Sequence, residues 1–392
     1  MNYRPDFCPR LRSIDVLPFR WEGQEVFLLR DPFGFTEKTL IVPKALGPVL
    51  AALDGTHTLR DLQVIASRTL GQLVMLEDIE KFINTLDQHY FLEGHRFETL
   101  KKEILAAFAE SPLRPPSHAG KAYPADPAEL KNFLADILAR WPKREGFSPR
   151  ALIAPHIDLN LGARGFAAAY QGLSWPEGAR VVVLGTGHFL ESPLSVLDKD
   201  FETPLGTVPC DREFIAELLE REPEARGDIL GHRQEHAIEF QVIFLKYLLG
   251  DFRLVPILLA SPTPETRVFL DRIASVLAEL ADQHTFFVAG VDFCHLGLRY
   301  GDPKPAGEAE KQKALLFDHE LLRQILALNA DGLYQTLLED AENHKVCGFG
   351  PLYFLLQLLK NRPLTGKILH QEVVDFGPGS IVSFAAAALY DK

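Results

Sequence analysis

Residues 285–295, TFFVAGVDFCH, hold the pattern on which the fold turns. Through Val291 the run is free of charge and rich in β-branched and aromatic residues, and it then stops at Asp-Phe-Cys-His. That is the signature of a strand buried on both faces and ending at a sheet edge. ALIAPH (151–156) and VVVLGTGH (181–188) are built the same way, and FRLVPILLA (252–260) adds another apolar strand. Helical patterns separate them around GFAAAYQGL, REFIAELLER, HAIEFQVIFLKYLL and PETRVFLDRIASVLAELAD. Two long helices, a helix at GPLYFLLQLLK and the strands KILHQEVVDF and GSIVSFAAAALY close the chain. Alternation of this kind predicts an α/β fold, an α/β/α sandwich around a largely buried mixed sheet.

Upstream the pattern changes. EVFLLRD (25–31) and KTLIVP (38–43) read as short strands around the turn-rich DPFGF, followed by helices with threonine and glycine punctuation. A small winged-helix-like domain is expected over residues 1–110 and a linker over 111–119, where two prolines resist helix continuation. The α/β domain then covers 120–392. The run LDGTHTLRDL, with a later FLEG, resembles the small winged-helix, PqqD-like modules found beside radical-SAM and peptide-modifying enzymes. That resemblance implies a peptide or radical-SAM partner for the N-terminal domain, and a packing or oligomerisation role is the alternative.

With 392 residues, 41 basic and 53 acidic, the formal charge is −12, so no global positive field attracts nucleic acid or an anionic membrane. Cys8, Cys210, Cys294 and Cys347 form no C-x-x-C pair, which fits a reducing cytoplasm better than a disulfide framework. No stretch has signal-peptide character or the roughly 20 apolar residues needed to span a bilayer.

In sheets of this type ligands gather outside the carboxyl ends of the strands. His156, His188 and His295 each follow a predicted strand and so form one candidate shell. Gly185 and Gly187 either admit a ligand or make the turn off the strand. Asp292 either orients an imidazole or caps the next segment. Cys347 precedes Gly348 and a helix with Pro351 in its first turn, a position that favours thiolate. Cys294 reads as a core residue facing away from His295. In GHRQEHAIEFQ (231–241), His236 and Glu239 share a helix face, and His232, Glu235 and His236 spell H-x-x-E-H, a zinc-peptidase pattern.

Seven ordered motifs, GKAYPADPAEL (120–130), APH (154–156), LGTGH (184–188), EHAIE (235–239), VDFCH (291–295), CG (347–348) and SIVSFAAAAL (380–389), resemble the Memo family. Its bacterial and archaeal members are called AmmeMemoRadiSam system protein B, and the family is similar in fold to LigB-type extradiol dioxygenases. The resemblance implies a non-haem metal held by His156, His188 and Cys347, with His295 as the base and Asp292, His236 and Glu239 lining the pocket. The chain departs from the common pattern in PHIDLNLGAR, where Asp158 and Arg164 offer different polar groups, in the single histidine of GTGHF and in Phe384, where Tyr is common. Two imidazoles and a thiolate suit iron or copper, with zinc as a further option. The expected function is therefore metal-dependent oxidoreductase-type chemistry. The alternatives are partner binding in a radical-SAM system and a zinc peptidase built on His232, Glu235 and His236.

Overall fold

The computed structural model describes residues 4–392, and the chain divides into two compact units, 1–110 and 111–392. In the first, β1 (Asp15–Trp21), β2 (Gln24–Arg30) and β3 (Thr39–Pro43) form an antiparallel sheet in that order. Four helices follow: α1 (Gly47–Ala51), α2 (Leu59–Leu70), α3 (Leu76–Gln88) and α4 (His95–Glu110). A reciprocal Thr58–Asp61 capping box starts α2, and Gly71 in the left-handed region ends it. Leu29 and Val42 on one sheet face pack with Leu59, Leu62, Ile83 and Leu86. Strand β1 was not anticipated because it carries Pro18. Proline is tolerated on an edge strand, where a missing N–H costs no ladder bond.

The second unit runs β4 (Leu113–Arg114), α5 (Pro127–Leu138), β5 (Ala151–Ala154), α6 (Ala163–Tyr170), β6 (Arg180–Thr186), β7 (Leu194–Val196) and β8 (Asp200–Phe201). It continues with α7 (Arg212–Arg221), α8 (His236–Leu249), β9 (Arg253–Leu259), α9 (Pro264–Leu280), β10 (Thr285–Gly290) and β11 (His295–Gly297). Helices α10 (Glu308–Leu326), α11 (Ala330–His344) and α12 (Phe349–Leu359) precede β12 (Leu364–Asp375) and β13 (Ser380–Asp391). The large sheet has the order β11-β13-β5-β10-β6-β9-β7, with β12 on the other side of β13. Strands β5, β10, β6 and β9 are parallel, whereas β7, β12 and β13 pair antiparallel, so the sheet is mixed.

Strand side chains alternate between two helical layers. Ile153, Val182, Leu184, Val255, Phe287 and Ala289 join the large core that includes α7, α9 and α12. The opposite face receives α6 and α8. Glycine makes that approach close: a Cβ on Gly290 would lie 2.5 Å from the Ala237 carbonyl, and one on Gly185 would lie 2.7 Å from Ile238. Gly185 thus serves helix packing, and Gly187, whose Cβ would meet Leu190, serves the turn.

Residues 111–119 are packed into the second unit and do not form a free linker. Leu113 and Arg114 pair with Asp200 and Phe201, and Arg114 is wholly buried. A guanidinium there needs several acceptors, which α8 and the turn before it supply.

Candidate metal centre

His156 leaves the end of β5 with its backbone fixed by Asp292, whose Oδ1 accepts the His156 and Ile157 N–H groups at 3.0 and 3.2 Å. The His156 Nδ1 lies 2.9 Å from the Gly290 carbonyl. A carbonyl only accepts, so Nδ1 carries the proton and Nε2 is left as a donor atom for a ligand. That Nε2 is 3.3 Å from the Cys347 sulfur. His188, just past β6, is oriented in the same manner by Glu235: Nδ1 sits 3.0 Å from Oε1, and the His188 N–H donates to Oε2 at 2.9 Å.

Cys347 enters from the opposite direction, in the loop between α11 and α12. The Gly348 N–H donates to the Asp292 carbonyl, and a side chain at Gly348 would crowd that same oxygen at 2.8 Å. Thr186 also donates to the Cys347 carbonyl. The three donor atoms of His156, His188 and Cys347 all lie within 4.8 Å of one another. Burial alone raises the Cys347 thiol, but the facing His156 and hydrogen bonds from His156 and His188 outweigh it and bring the pKa down to about 7. For His188, burial alone lowers the pKa, yet the Glu235 carboxylate and Cys347 push it well above the ordinary histidine value. Two imidazoles with their far nitrogens engaged and one readily ionised thiol form a coherent set of ligands for a soft or borderline metal ion.

The remaining candidates fall around this cluster in different ways. Asp292 is buried beneath it and raised to about 6 by that burial, with His295 and the backbone N–H groups opposing. His295 stands beside Asp292 but belongs to no group of ligand atoms among the described residues, and its Nδ1 meets the Phe293 carbonyl at 2.9 Å. His236 stacks on His188, with centroids 4.9 Å apart and planes 17° apart, and also faces His156 at 5.1 Å. Burial, acting with the neighbouring imidazoles, holds its pKa well below the ordinary value despite Glu235. Glu239 is engaged elsewhere: Arg114, Ser117, His118 and Tyr123 all donate to it. Asp158 closes a turn by accepting the Asn160 and Leu161 N–H groups, and Arg164 is exposed on α6. The Cys294 thiol turns away, as expected, and donates to Asp318 at 3.0 Å.

The H-x-x-E-H reading fails on local structure. Its two histidines must share one helix face, but His232 ends a 3-10 turn (Ile229–His232) and α8 begins only at His236, with Glu235 as its N-cap. His232 directs Nε2 to the Ser195 carbonyl at 3.1 Å, and burial drives its pKa down to about 3. It joins no ligand group among the described residues.

Sequence reasoning missed Glu235 as the residue that orients His188. An acidic residue immediately before an apolar helix is an N-cap signal, and it sets Glu235 at the helix start. His118 and Arg114 carried no such signal, since their roles arise only from packing against α8.

A mixed-sheet α/β protein with two oriented imidazoles and a thiol gathered past its strand ends defines the class. The chain belongs to the Memo-like protein family, whose model matches residues 114–387. A MEMO1 family protein of Aquifex aeolicus is 32% identical over 387 residues, covering 97% of this chain and 100% of the relative. One of Methanosarcina barkeri is 31% identical over 250 residues, 63% of this chain and 87% of its own length. A crystal structure of an uncharacterized protein from Escherichia coli K12 aligns at a TM-score of 0.35 and 16% identity, over 55% of this chain and 86% of that one. No helix among the described residues is long and apolar enough to cross a membrane.

Proposed function

We propose that the protein holds one iron or copper ion between His156, His188 and Cys347 and uses it for oxidoreductase-type chemistry on a small substrate. The observation that carries this reading is the convergence of three donor atoms within 4.8 Å, each imidazole having its other nitrogen fixed by a carbonyl or carboxylate. When bound, such an ion supplies Lewis-acid or redox chemistry at positions the three protein ligands leave open. The chain's own residues hold the geometry. Asp292 ties the end of β5 to the residues after β10, Glu235 fixes the His188 tautomer, and His236 stacks its imidazole against His188 and so restricts that ring. Metal analysis of wild type, His156→Ala and Cys347→Ala, each titrated anaerobically with ferrous and cuprous ions, tests it. Binding confined to wild type is expected, and equal metal content in all three proteins overturns the reading.

A second reading concerns the first unit, where Leu17, Phe19, Trp21 and Ile41 expose 38, 47, 50 and 39% of their surfaces. The strand register aligns Leu17 with Leu28 and Leu28 with Ile41, which gives the sheet an apolar outer face. Contiguous exposed apolar surface marks interaction sites. We infer a peptide or radical-SAM partner docking there. Replacing Phe19 and Trp21 with Ser in the full chain is expected to abolish co-purification with a radical-SAM partner while metal content stays unchanged. Retained co-purification removes this reading.

A further inference from the structure

We propose that Glu235, His188 and His236 hold a second divalent cation, zinc by its donor set, beside the ion assigned to His156, His188 and Cys347. The inference rests on that first reading, because His188 belongs to both sets of donors.

Three nitrogens surround one oxygen of the Glu235 carboxylate. Its Oε1 lies 2.9 Å from the Ala237 nitrogen, 3.0 Å from His188 Nδ1 and 3.3 Å from His236 Nδ1. A carboxylate oxygen offers about two lone pairs, so one nitrogen is in excess. That nitrogen is on His236, whose imidazole forms no hydrogen bond among the described residues. The Glu235 side chain is only 1% exposed, and its charge meets no Lys or Arg side chain among the described residues. A cation between the oxygen and the two imidazoles settles both the excess donor and the buried charge.

The separations suit an ion. Ligand atoms of Glu235, His188 and His236 all lie within 4.8 Å of one another, as do those of the first set. Around a tetrahedral ion bonded at about 2.0–2.1 Å, neighbouring donor atoms stand about 3.3 Å apart. The two oxygen–nitrogen distances, 3.0 and 3.3 Å, are already close to that. Both new donors sit at the rigid start of α8, Glu235 as its N-cap and His236 as its first residue. The His236 ring is 28% exposed and aims Nδ1 by turning about its terminal torsion, which is broad for histidine. On binding, the Ala237 N–H keeps one lone pair of Oε1 and the ion takes the other. His188 releases its Nδ1 proton to solvent and bridges, with Nδ1 on the second ion and Nε2 toward the first.

The donors select the metal. Two imidazoles and a carboxylate form a set that zinc uses in catalytic sites, with the fourth position left for water or a substrate oxygen. Without sulfur the set has little attraction for cuprous ion, and ferrous ion stands low in the affinity order of such sites. His232 takes no part, and His188, 47 positions before Glu235, supplies the donor that no local motif could show.

Zinc equivalents per chain, counted by native mass spectrometry of the full chain at a chelator-buffered free zinc level, test the assignment. Wild type is expected to hold two, His236→Phe and Cys347→Ala one each, and the double variant none. Phenylalanine keeps a ring against His188, and the zinc that His236→Phe retains shows that it folds. A single equivalent in wild type that His236→Phe keeps overturns the second site and leaves the first reading standing. Loss of all zinc in His236→Phe overturns it as well, by making His236 structural. Two equivalents that Cys347→Ala keeps overturn the first set of ligands, and absence of zinc from wild type overturns both.

Discussion

The Nδ1 nitrogen of His188 lies 3.0 Å from a carboxylate oxygen of Glu235, and this contact decides which face of the imidazole is offered to Cys347. Glu235 is almost wholly buried and caps α8 through the Ala237 N–H, and its carboxylate receives no Lys or Arg side-chain bond among the described residues. Its negative charge is therefore balanced by imidazoles and backbone N–H groups, which ties the helix start and the orientation of the candidate ligand His188 to one carboxylate.

Glu235→Gln tests that coupling. The amide keeps a capping oxygen, but it removes the charge that fixes the His188 tautomer. Loss of a partner behind a metal-bound histidine costs about 10–100-fold in metal affinity. A drop of that size, measured by competition with a chromogenic chelator and accompanied by little change in thermal stability, is expected. An unchanged affinity would show that His188 is oriented by packing alone.

The thiol should titrate visibly. With a pKa brought down to about 7, Cys347 is half thiolate near neutrality, whereas burial raises Cys210 to about 12 and drives Cys294 higher still. Thiolate is the form that reacts, so alkylation by iodoacetamide in a Cys8→Ser background should rise through pH 7 and level off near pH 8. Peptide mapping should place the label on Cys347, and bound metal should block it. A rate still climbing steeply above pH 9 would contradict the assignment.

How far the sequence could be read depended on how local each determinant is. The strands that lead to His156, His188 and Asp292, each two residues past a strand end, were legible because a charge-free run with a polar terminus is a local pattern. Strands β7, β8 and β11 were not, since two or three residues carry no periodicity. The ligand triad was separately suggested by its placement and grouped only through the family resemblance. The misread segment was 111–119: its prolines look like a linker, but Arg114 is held by Glu239 and by the His232 and Glu235 carbonyls, partners more than a hundred positions away. Glu239 was read as lining the pocket for the complementary reason. Nothing in EHAIE reveals that four residues of an earlier segment consume its oxygens.

A buried carboxylic acid away from the candidate metal centre sets a stability slope. Burial raises Asp318 to about 7, and its Oδ2 is unpartnered. The folded state then holds a proton that the unfolded chain, with an ordinary aspartate, releases near pH 4. Stability from this group is complete below pH 4 and is lost as pH rises through 7, an effect of at most about 4 kcal/mol. Asp292, raised to about 6, acts in the same direction and remains in the variant. Asp318→Asn should therefore gain on wild type by about 1–3 kcal/mol at pH 8 and match it near pH 4. Urea denaturation at the two pH values decides, and a variant less stable at pH 8 would refute the argument.

The Arg114–Glu239 pair allows a sharper test, because Glu239 does more than neutralise a guanidinium. Removing one partner of a buried ion pair costs about 3–5 kcal/mol, while replacing both by apolar residues often restores the loss. Here restoration should be incomplete. Glu239 also accepts the Ser117 and His118 N–H groups and the Tyr123 hydroxyl, and Arg114 also donates to the His232 and Glu235 carbonyls. An Arg114→Met, Glu239→Leu double variant removes the two charges and leaves those backbone groups buried without partners. Each orphaned group costs about 1–3 kcal/mol. Both single variants should lose at least 3 kcal/mol, and the double should recover the charge contribution while remaining clearly below wild type in denaturant midpoint. Because the Glu235 carbonyl is among the groups released, metal affinity should fall in Arg114→Met as well. Full recovery in the double variant would reduce the pair to a simple salt bridge, and segment 113–123 would lose its claim to hold the start of α8 beneath His188.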